Sequence, residues 1–418
     1  MRGGLPPAWA RAPAAEPGAA AGAAGAAIER FERGVAALVA AGEAPLPPYP
    51  AVALRVQEAM GRRDVSLAEV AALVGADGAL AADILRCANS AMYRRGAPVT
   101  ALGVAVTRIG AQQVLRLLLA SGLAVHAQAP GALAPLRRLF WIEGLASASL
   151  CQELARLRGL RTEEAFVLGL LHDFGKIVAA ASLELLLERD PDAPSLPVED
   201  WRRVVERQHV ALGAAMASRW KLPALVGEVI AAHHGATAGC RDPGLLAVVE
   251  AADQVSALAL GRIQVSEEDV AGLPAIAGAE RAAVVRVVEY VPEFVAAFEG
   301  PPAPGRPPPS RIAAPETTLA GARPVKLGVS ISVARRPRTF SATAIAAEGL
   351  SAQGEEPVPE NRLLEAKFYG ERPFGAWVLV RLCRPEGDGF RIEVQPFALS
   401  AEARGLWDAL LAGGPPAC

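Results

Sequence analysis

The feature that most constrains this chain is a change of hydrophobic period across a proline-rich segment. Before it, apolar residues recur every three to four positions; after it they recur every two. The divider is Gly300-Pro301-Pro302-Ala303-Pro304-Gly305-Arg306-Pro307-Pro308-Pro309. Proline lacks a backbone donor and fixes φ, so neither helix nor sheet runs through this stretch. Residues 300–324 are predicted to form an extended, semi-stiff linker between two folding units.

The first unit is all-helical. A short helix is expected over Ile28–Ala41, where Ile28, Phe31, Val35 and Leu38 share a face, before Leu46-Pro47-Pro48-Tyr49-Pro50 interrupts it. From Ala51 to about Glu299 the helical period rarely lets up. Ser66-Leu67-Ala68-Glu69 reads as a capping box, and Asp77 and Thr100 read as caps of the next two helices. Thr162 opens a helix whose first turn carries Glu163 and Glu164, where the helix dipole favours negative charge. Continuous short helices of this kind indicate an all-α domain over 28–299. Residues 1–27, almost entirely Ala, Gly and Pro, read as a disordered tail.

The second unit, 325–413, is predicted to be a small β-barrel closed by a helix. Val325, Leu327, Val329, Ile331 and Val333 alternate with Lys326, Gly328, Ser330 and Ser332. Gly375–Leu382 and Phe390–Phe397 are further strand candidates, and a last helix follows Ser400 with Leu406, Leu410 and Leu411 inward.

Composition excludes several classes of function. The 418 residues are 52% hydrophobic and 21% charged with a net charge of −2, which gives no reason to expect nucleic acid or an anionic membrane as partner. No run of eighteen strongly apolar residues is seen, and the N-terminus lacks the compact apolar core of a signal peptide. Five cysteines, odd in number and without a C-x-x-C pair, argue against a disulfide framework or a zinc knuckle and suit a reducing cytosol. A cytoplasmic protein is expected.

Three motifs carry a family resemblance. They are Leu46-Pro47-Pro48-Tyr49-Pro50; Leu85-Arg86-Cys87-Ala88-Asn89-Ser90-Ala91-Met92-Tyr93 followed by Val106-Thr107-Arg108-Ile109-Gly110; and Gly169-Leu170-Leu171-His172-Asp173-Phe174-Gly175-Lys176. The segment from Leu46 to about Leu258 resembles an HDOD domain, a relative of the HD-type metal phosphohydrolases found in bacterial signalling. Asn89 and Ser90 have a local reading beside it: their side chains end the helix and order the turn before Tyr93.

In an HD phosphohydrolase, the resemblance implies, adjacent His and Asp hold one divalent metal (Mn, Fe or Zn) with a second His and a distant Asp. The metal polarises a phosphoryl oxygen and activates water. Here the candidate ligands are His172, Asp173, His209, His233, His234 and Asp253. Two arrangements satisfy such groups when buried: a metal, or an ion-paired cluster such as His172 with Asp253. Glu143 falls near the family's usual histidine, on the stripe of Leu136, Phe140, Ser147 and Leu150, and as a hard anionic donor changes the site. No Gly-Tyr-Pro element follows His233-His234. Lys176 reads either as a former phosphate ligand or as a solvated helix-end lysine.

The C-terminal unit resembles a PilZ domain, which implies cyclic di-GMP binding through paired arginines and an Asp/Asn-x-Ser-x-x-Gly turn. Gly349 survives from that turn, whereas Ala344 and Ala346 offer no side-chain acceptor and Arg323 stands alone. Binding of that nucleotide is not expected. The function expected is a non-catalytic signal-transduction output or adaptor protein, acting through contacts of the helical domain with a signalling partner. The alternative is a metal-dependent HD-type phosphohydrolase acting on a nucleotide or phosphoester.

Overall fold

The computed structural model describes residues 19–298 and 322–412, apart from 63, 91–92, 95, 191–192, 194–195, 197, 236–238, 260–264, 334–335, 348, 359–362, 398 and 400. Most of the tail and nearly all of the linker called from sequence therefore lie outside the described residues.

The helices in chain order are α1 (Ala19–Ala41), α2 (Ala51–Met60), α3 (Leu67–Gly75), α4 (Gly78–Ala88), α5 (Leu102–Ile109), α6 (Ala111–Gln128), α7 (Ala134–Leu157) and α8 (Thr162–Leu171). They continue as α9 (Gly175–Arg189), α10 (Val198–Arg219), α11 (Ala224–Ala232), α12 (Pro243–Ala259), α13 (Glu267–Ala271) and α14 (Arg281–Phe298). Helix α1 starts at Ala19 rather than Ile28, because an alanine-rich run extends a helix at little side-chain entropy cost. Its expected stripe, Ile28, Phe31, Val35 and Leu38, is buried, with Phe31 4.9 Å from the Trp201 ring of α10. The Leu46–Pro50 motif seats at the turn just after α10: the Trp220 indole donates to the Pro47 carbonyl at 2.8 Å, and Tyr49 meets that indole edge-on.

The caps divide. Asp77 accepts from the N–H groups of Ala79 and Leu80, as expected. Ser66 accepts from Glu69 N–H at 3.1 Å, but the Glu69 carboxylate pairs with Arg62 in place of the return half of the box. The third helix is entered at Ala101 without a side-chain cap, so Thr100 does not cap it. Asn89 ends α4 and pins the following loop, its amide donating to the Leu85 and Val99 carbonyls while its oxygen accepts from Val99 N–H. Ser90 donates to the Cys87 carbonyl at 2.7 Å.

Helices α8 and α9 run nearly end to end. Thr162–Arg189 is long and apolar enough by length and composition to cross a membrane, but 83% of its most apolar stretch is buried inside the protein. Its apolarity is that of a central core element, and it is broken by His172-Asp173-Phe174.

The C-terminal unit is a closed six-stranded antiparallel barrel. Its strands are β1 (Arg323–Val333), β2 (Arg336–Ala346), β3 (Gly349–Gly354), β4 (Leu363–Tyr369), β5 (Phe374–Glu386) and β6 (Gly389–Phe397), followed by α15 (Ala401–Ala412). The strand order is β1-β2-β3-β6-β5-β4, closed by pairing Gly328–Ile331 against Ala366–Tyr369. Val329, Ile331, Phe368, Val378, Ile392 and Val394 fill the interior beneath Trp407 of α15. Ala344 and Ala346 lie within β2, paired with Ser351 and Gly349, so the segment read as a binding turn is a hairpin. Arg323 donates to the Leu411 carbonyl at 3.0 Å. Leu379 and Phe397 join the helical core, and the Arg138 guanidinium of α7 lies 5.8 Å from the Trp377 ring.

Candidate metal centre

Five helices converge on one cluster. His172 and Asp173 occupy the break between α8 and α9; His209 projects from α10; His233 and His234 follow the last turn of α11; Asp253 comes from α12. The break is held by i→i+3 bonds, Phe174 N–H to the Leu171 carbonyl and Lys176 N–H to the Asp173 carbonyl. Gly175 lets α9 approach α10 at this level: a Cβ there would lie 2.0 Å from the His209 carbonyl oxygen.

The backbone sets the direction of the imidazoles. Nδ1 of His172 lies 3.0 Å from the Gly169 carbonyl, Nδ1 of His209 2.8 Å from that of Glu206, and Nδ1 of His233 2.8 Å from that of Ile230. A carbonyl only accepts, so each Nδ1 carries the proton, and in a neutral ring Nε2 is a lone pair facing the centre. His209 and His233 bring Nε2 to 3.3 Å of each other, and Asp173 Oδ1 lies 3.3 and 3.2 Å from them. His234 Nε2 reaches His209 Nε2 at 2.9 Å. Asp173 Oδ1 is buried and accepts no hydrogen bond among the described residues.

On the other side of Asp173, His172 Nε2 meets Asp253 Oδ1 at 3.0 Å and Asp173 Oδ2 at 3.5 Å. Burial works against charge on His172, but Asp253 and Asp173 outweigh it and hold the ring well above the usual histidine range. Burial lowers His209, and burial together with His233 and His209 pushes His234 down to about 4. These two rings are neutral at neutral pH, with lone pairs available to a cation. Burial would raise Asp173, but Lys176 and His172 hold it well below the usual carboxylate range.

Beneath the cluster lies a buried charged floor. Lys176 is 7% exposed, not solvated, and its ammonium sits 2.7 Å from Asp173 Oδ2 and 3.0 Å from Glu206 Oε1. Burial opposes its charge, but Asp173, Glu206 and Glu143 raise its pKa above the usual lysine value. Glu143 faces Arg202 at 3.7 Å, and burial raises its carboxyl.

The structure thus brings together His172, Asp173, His209, His233, His234 and Asp253 and leaves Glu143 out of both ligand groups found among the described residues. The α7 residue at the His172–Asp253 pair is Ser147, whose hydroxyl lies 3.4 Å from Asp253 Oδ1. Sequence reasoning missed Ser147, Arg202 and Glu206. The last two lie seven and three residues before His209, on its own helix face, and that spacing was the available signal.

The donor set fits a divalent cation. Asp173, His209, His233 and His234 offer one carboxylate oxygen and three ring nitrogens within 4.8 Å of one another. Such a mix suits Zn, Fe or Mn. The four carboxylates of Asp173, Asp253, Glu143 and Glu206 face three cations, Lys176, Arg202 and the His172 imidazolium, so added positive charge offsets the one negative charge left over.

Comparison with known proteins agrees with this fold. The HDOD domain family model matches residues 46–236, and the helical part of the chain carries an HDOD domain. An uncharacterised protein of Treponema pallidum (strain Nichols) is 28% identical over 197 residues, 45% of this chain and 37% of the relative, so the match spans well under half of that relative's length. A Shewanella amazonensis SB2B structure, provisionally named a metal-dependent phosphohydrolase, aligns with a TM-score of 0.50 at 22% identity over 66% of this chain and 100% of its own. A Geobacter sulfurreducens HDOD domain protein of unknown function gives 0.47 at 22% identity, over 65% of this chain and 98% of its own. At these identities the likeness concerns the fold alone.

Proposed function

We propose that this protein is a signal-transduction output module whose HDOD domain holds one divalent metal ion structurally and acts through contacts with a partner protein, without turnover. The observation that carries this reading is the engagement of Lys176. Its ammonium is buried between Asp173 and Glu206, so it does not face an incoming phosphate. His172 is likewise closed onto Asp253, with Ser147 beside them and no further nitrogen donor from α7. The groups that would neutralise a phosphoester are used within the protein, and the four carboxylates repel an anionic substrate. Asp173, His209, His233 and His234 would hold the metal. When bound, it would supply Lewis acidity and tie α10 and α11 to the α8–α9 break.

Phosphohydrolase activity is the second reading. It is favoured by one observation: Asp253 keeps 34% of its side chain exposed and His234 is exposed, so the cluster opens to solvent at one edge. The test assays the full chain with added manganese, iron or zinc on a generic phosphodiester and on cyclic dinucleotides, beside His209→Ala. No hydrolysis in either, with metal bound only by the wild type, is expected. Wild-type hydrolysis abolished in His209→Ala overturns the output-module reading.

A further inference from the structure

A second polar site lies away from the histidines, at the corner between α5 and α6. The two helices meet at 107° through Gly110, whose φ of 87° and ψ of 145° suit glycine alone. The corner aims the N-terminus of α6 into a cleft of about 410 Å³, and no side chain caps that N-terminus. First-turn N–H groups at such an end seek acceptors.

The cleft walls supply more than a helix end. The Arg116 side chain is only 6% exposed, and its guanidinium meets Glu163 at 3.0 Å and donates to the Gln113 amide oxygen. Two acceptors serve a group with five donors. Arg108, also on the wall, is held in place by the Ala88 and Ala97 carbonyls at 3.1 and 2.8 Å. Gln152 donates to Gln113 at 3.2 Å, which leaves Gln152 Oε1 buried and without a partner among the described residues. The cleft therefore presents two guanidinium groups and a helix N-terminus against one carboxylate, together with an orphaned acceptor. The opposing carboxylate, Glu163, sits on the rim with 57% of its side chain exposed. Burial also works against the charge on Arg116, a penalty that a closer anion relieves.

We infer that this cleft binds a small phosphate monoester, whose phosphate displaces Glu163 from Arg116 and whose hydroxyl or amino group donates to Gln152. The volume suits a small-molecule site and exceeds what a bare phosphate needs. The site is separate from the histidine cluster. Glu163 lies in the first turn of α8 and His172 follows its last, about 13 to 14 Å away at helical rise.

The experiment titrates the full, metal-stripped chain calorimetrically with inorganic phosphate, adenosine monophosphate and a phosphoserine peptide. Two rim variants locate the binding without touching the core. Glu163→Gln removes the competing carboxylate and should tighten the monoesters about three- to tenfold. Gln112→Glu adds a charge at the exposed first turn of α6, favourable to the helix itself, and should weaken them by a similar factor. Whichever monoester binds tighter identifies the source of the phosphate. Absence of saturable binding up to about 10 mM, or equal affinity for phosphate and both esters, overturns the proposal. So does a failure of the two variants to move affinity in opposite directions.

Discussion

His209 and His233 bring their Nε2 atoms to 3.3 Å while each ring gives its Nδ1 proton to a carbonyl of its own helix or helix end. With both rings neutral, two lone pairs are thereby fixed face to face beside the buried oxygen of Asp173. A cation relieves that repulsion, so the protein is expected to retain about one equivalent of Mn, Fe or Zn after dialysis. Loss of a ligand ring should cost more than the roughly 10- to 100-fold known for outer-shell partners. His209→Ala should therefore lower metal affinity by at least about hundredfold, read by metal analysis and competition with a chelator. Equal metal content in both proteins would contradict the ligand assignment.

The His172–Asp253 pair makes stability depend on pH in a definite direction. The folded-state pKa of His172 is raised, so the pair's contribution is fully present below the unfolded value of about 6.5 and is lost as pH rises through the folded value. Asp253 is about one-third exposed, which limits the contribution to about 1–2 kcal/mol. In the presence of chelator, the difference in unfolding free energy between wild type and Asp253→Asn should be largest near pH 6 and shrink toward high pH. A difference that grows with pH would refute the imidazolium assignment.

Gly175 sets the spacing of α9 and α10 at the centre. A Cβ there would meet the His209 carbonyl oxygen at 2.0 Å and the Gly213 nitrogen at 2.8 Å, both backbone atoms that cannot rotate away. Gly175→Ala should destabilise the chain by about 2–4 kcal/mol and weaken metal binding with it. Denaturant midpoints and metal titration check both effects; unchanged stability would mean that the helices separate freely.

The barrel should show no saturable binding of cyclic di-GMP at micromolar concentration. Guanine and phosphate recognition needs paired arginines and side-chain acceptors. Arg323 is engaged with the Leu411 carbonyl, and Ala344 and Ala346 are strand residues. Calorimetry on the full chain measures this directly, and one- or two-nucleotide stoichiometry would restore a receptor role.

Much of this organisation was legible in the residues alone. The change of period at Gly300–Pro309 separates helices from strands, since apolar spacing reflects 3.6 residues per turn on one side and two on the other. The candidate ligand residues could also be named in advance, because His172-Asp173, His209, His233-His234 and Asp253 lie in the order that the family resemblance implies; that Nε2 is the donor atom came from the Nδ1–carbonyl contacts. Strands β2, β3 and β4 were not called, because alanine, serine, glycine and lysine interrupt the alternation there; pairing with β1, β5 and β6 supplies what their own side chains do not.

Only the tertiary structure decided which residue of α7 faces the cluster. Glu143 and Ser147 are one turn apart, about 6 Å along the axis and nearly in phase, so a stripe that includes both cannot choose between them. The packing of α7 against α8 and α12 places Ser147 at Asp253 and turns Glu143 to Arg202. Lys176 shows the same limit. Its position at the start of α9 is compatible with solvent, and it is buried because α10 brings Glu206 across to it. Local sequence specifies the phase of each helix, whereas the depth of a side chain depends on which other helix covers it, and that is a property of the assembled core.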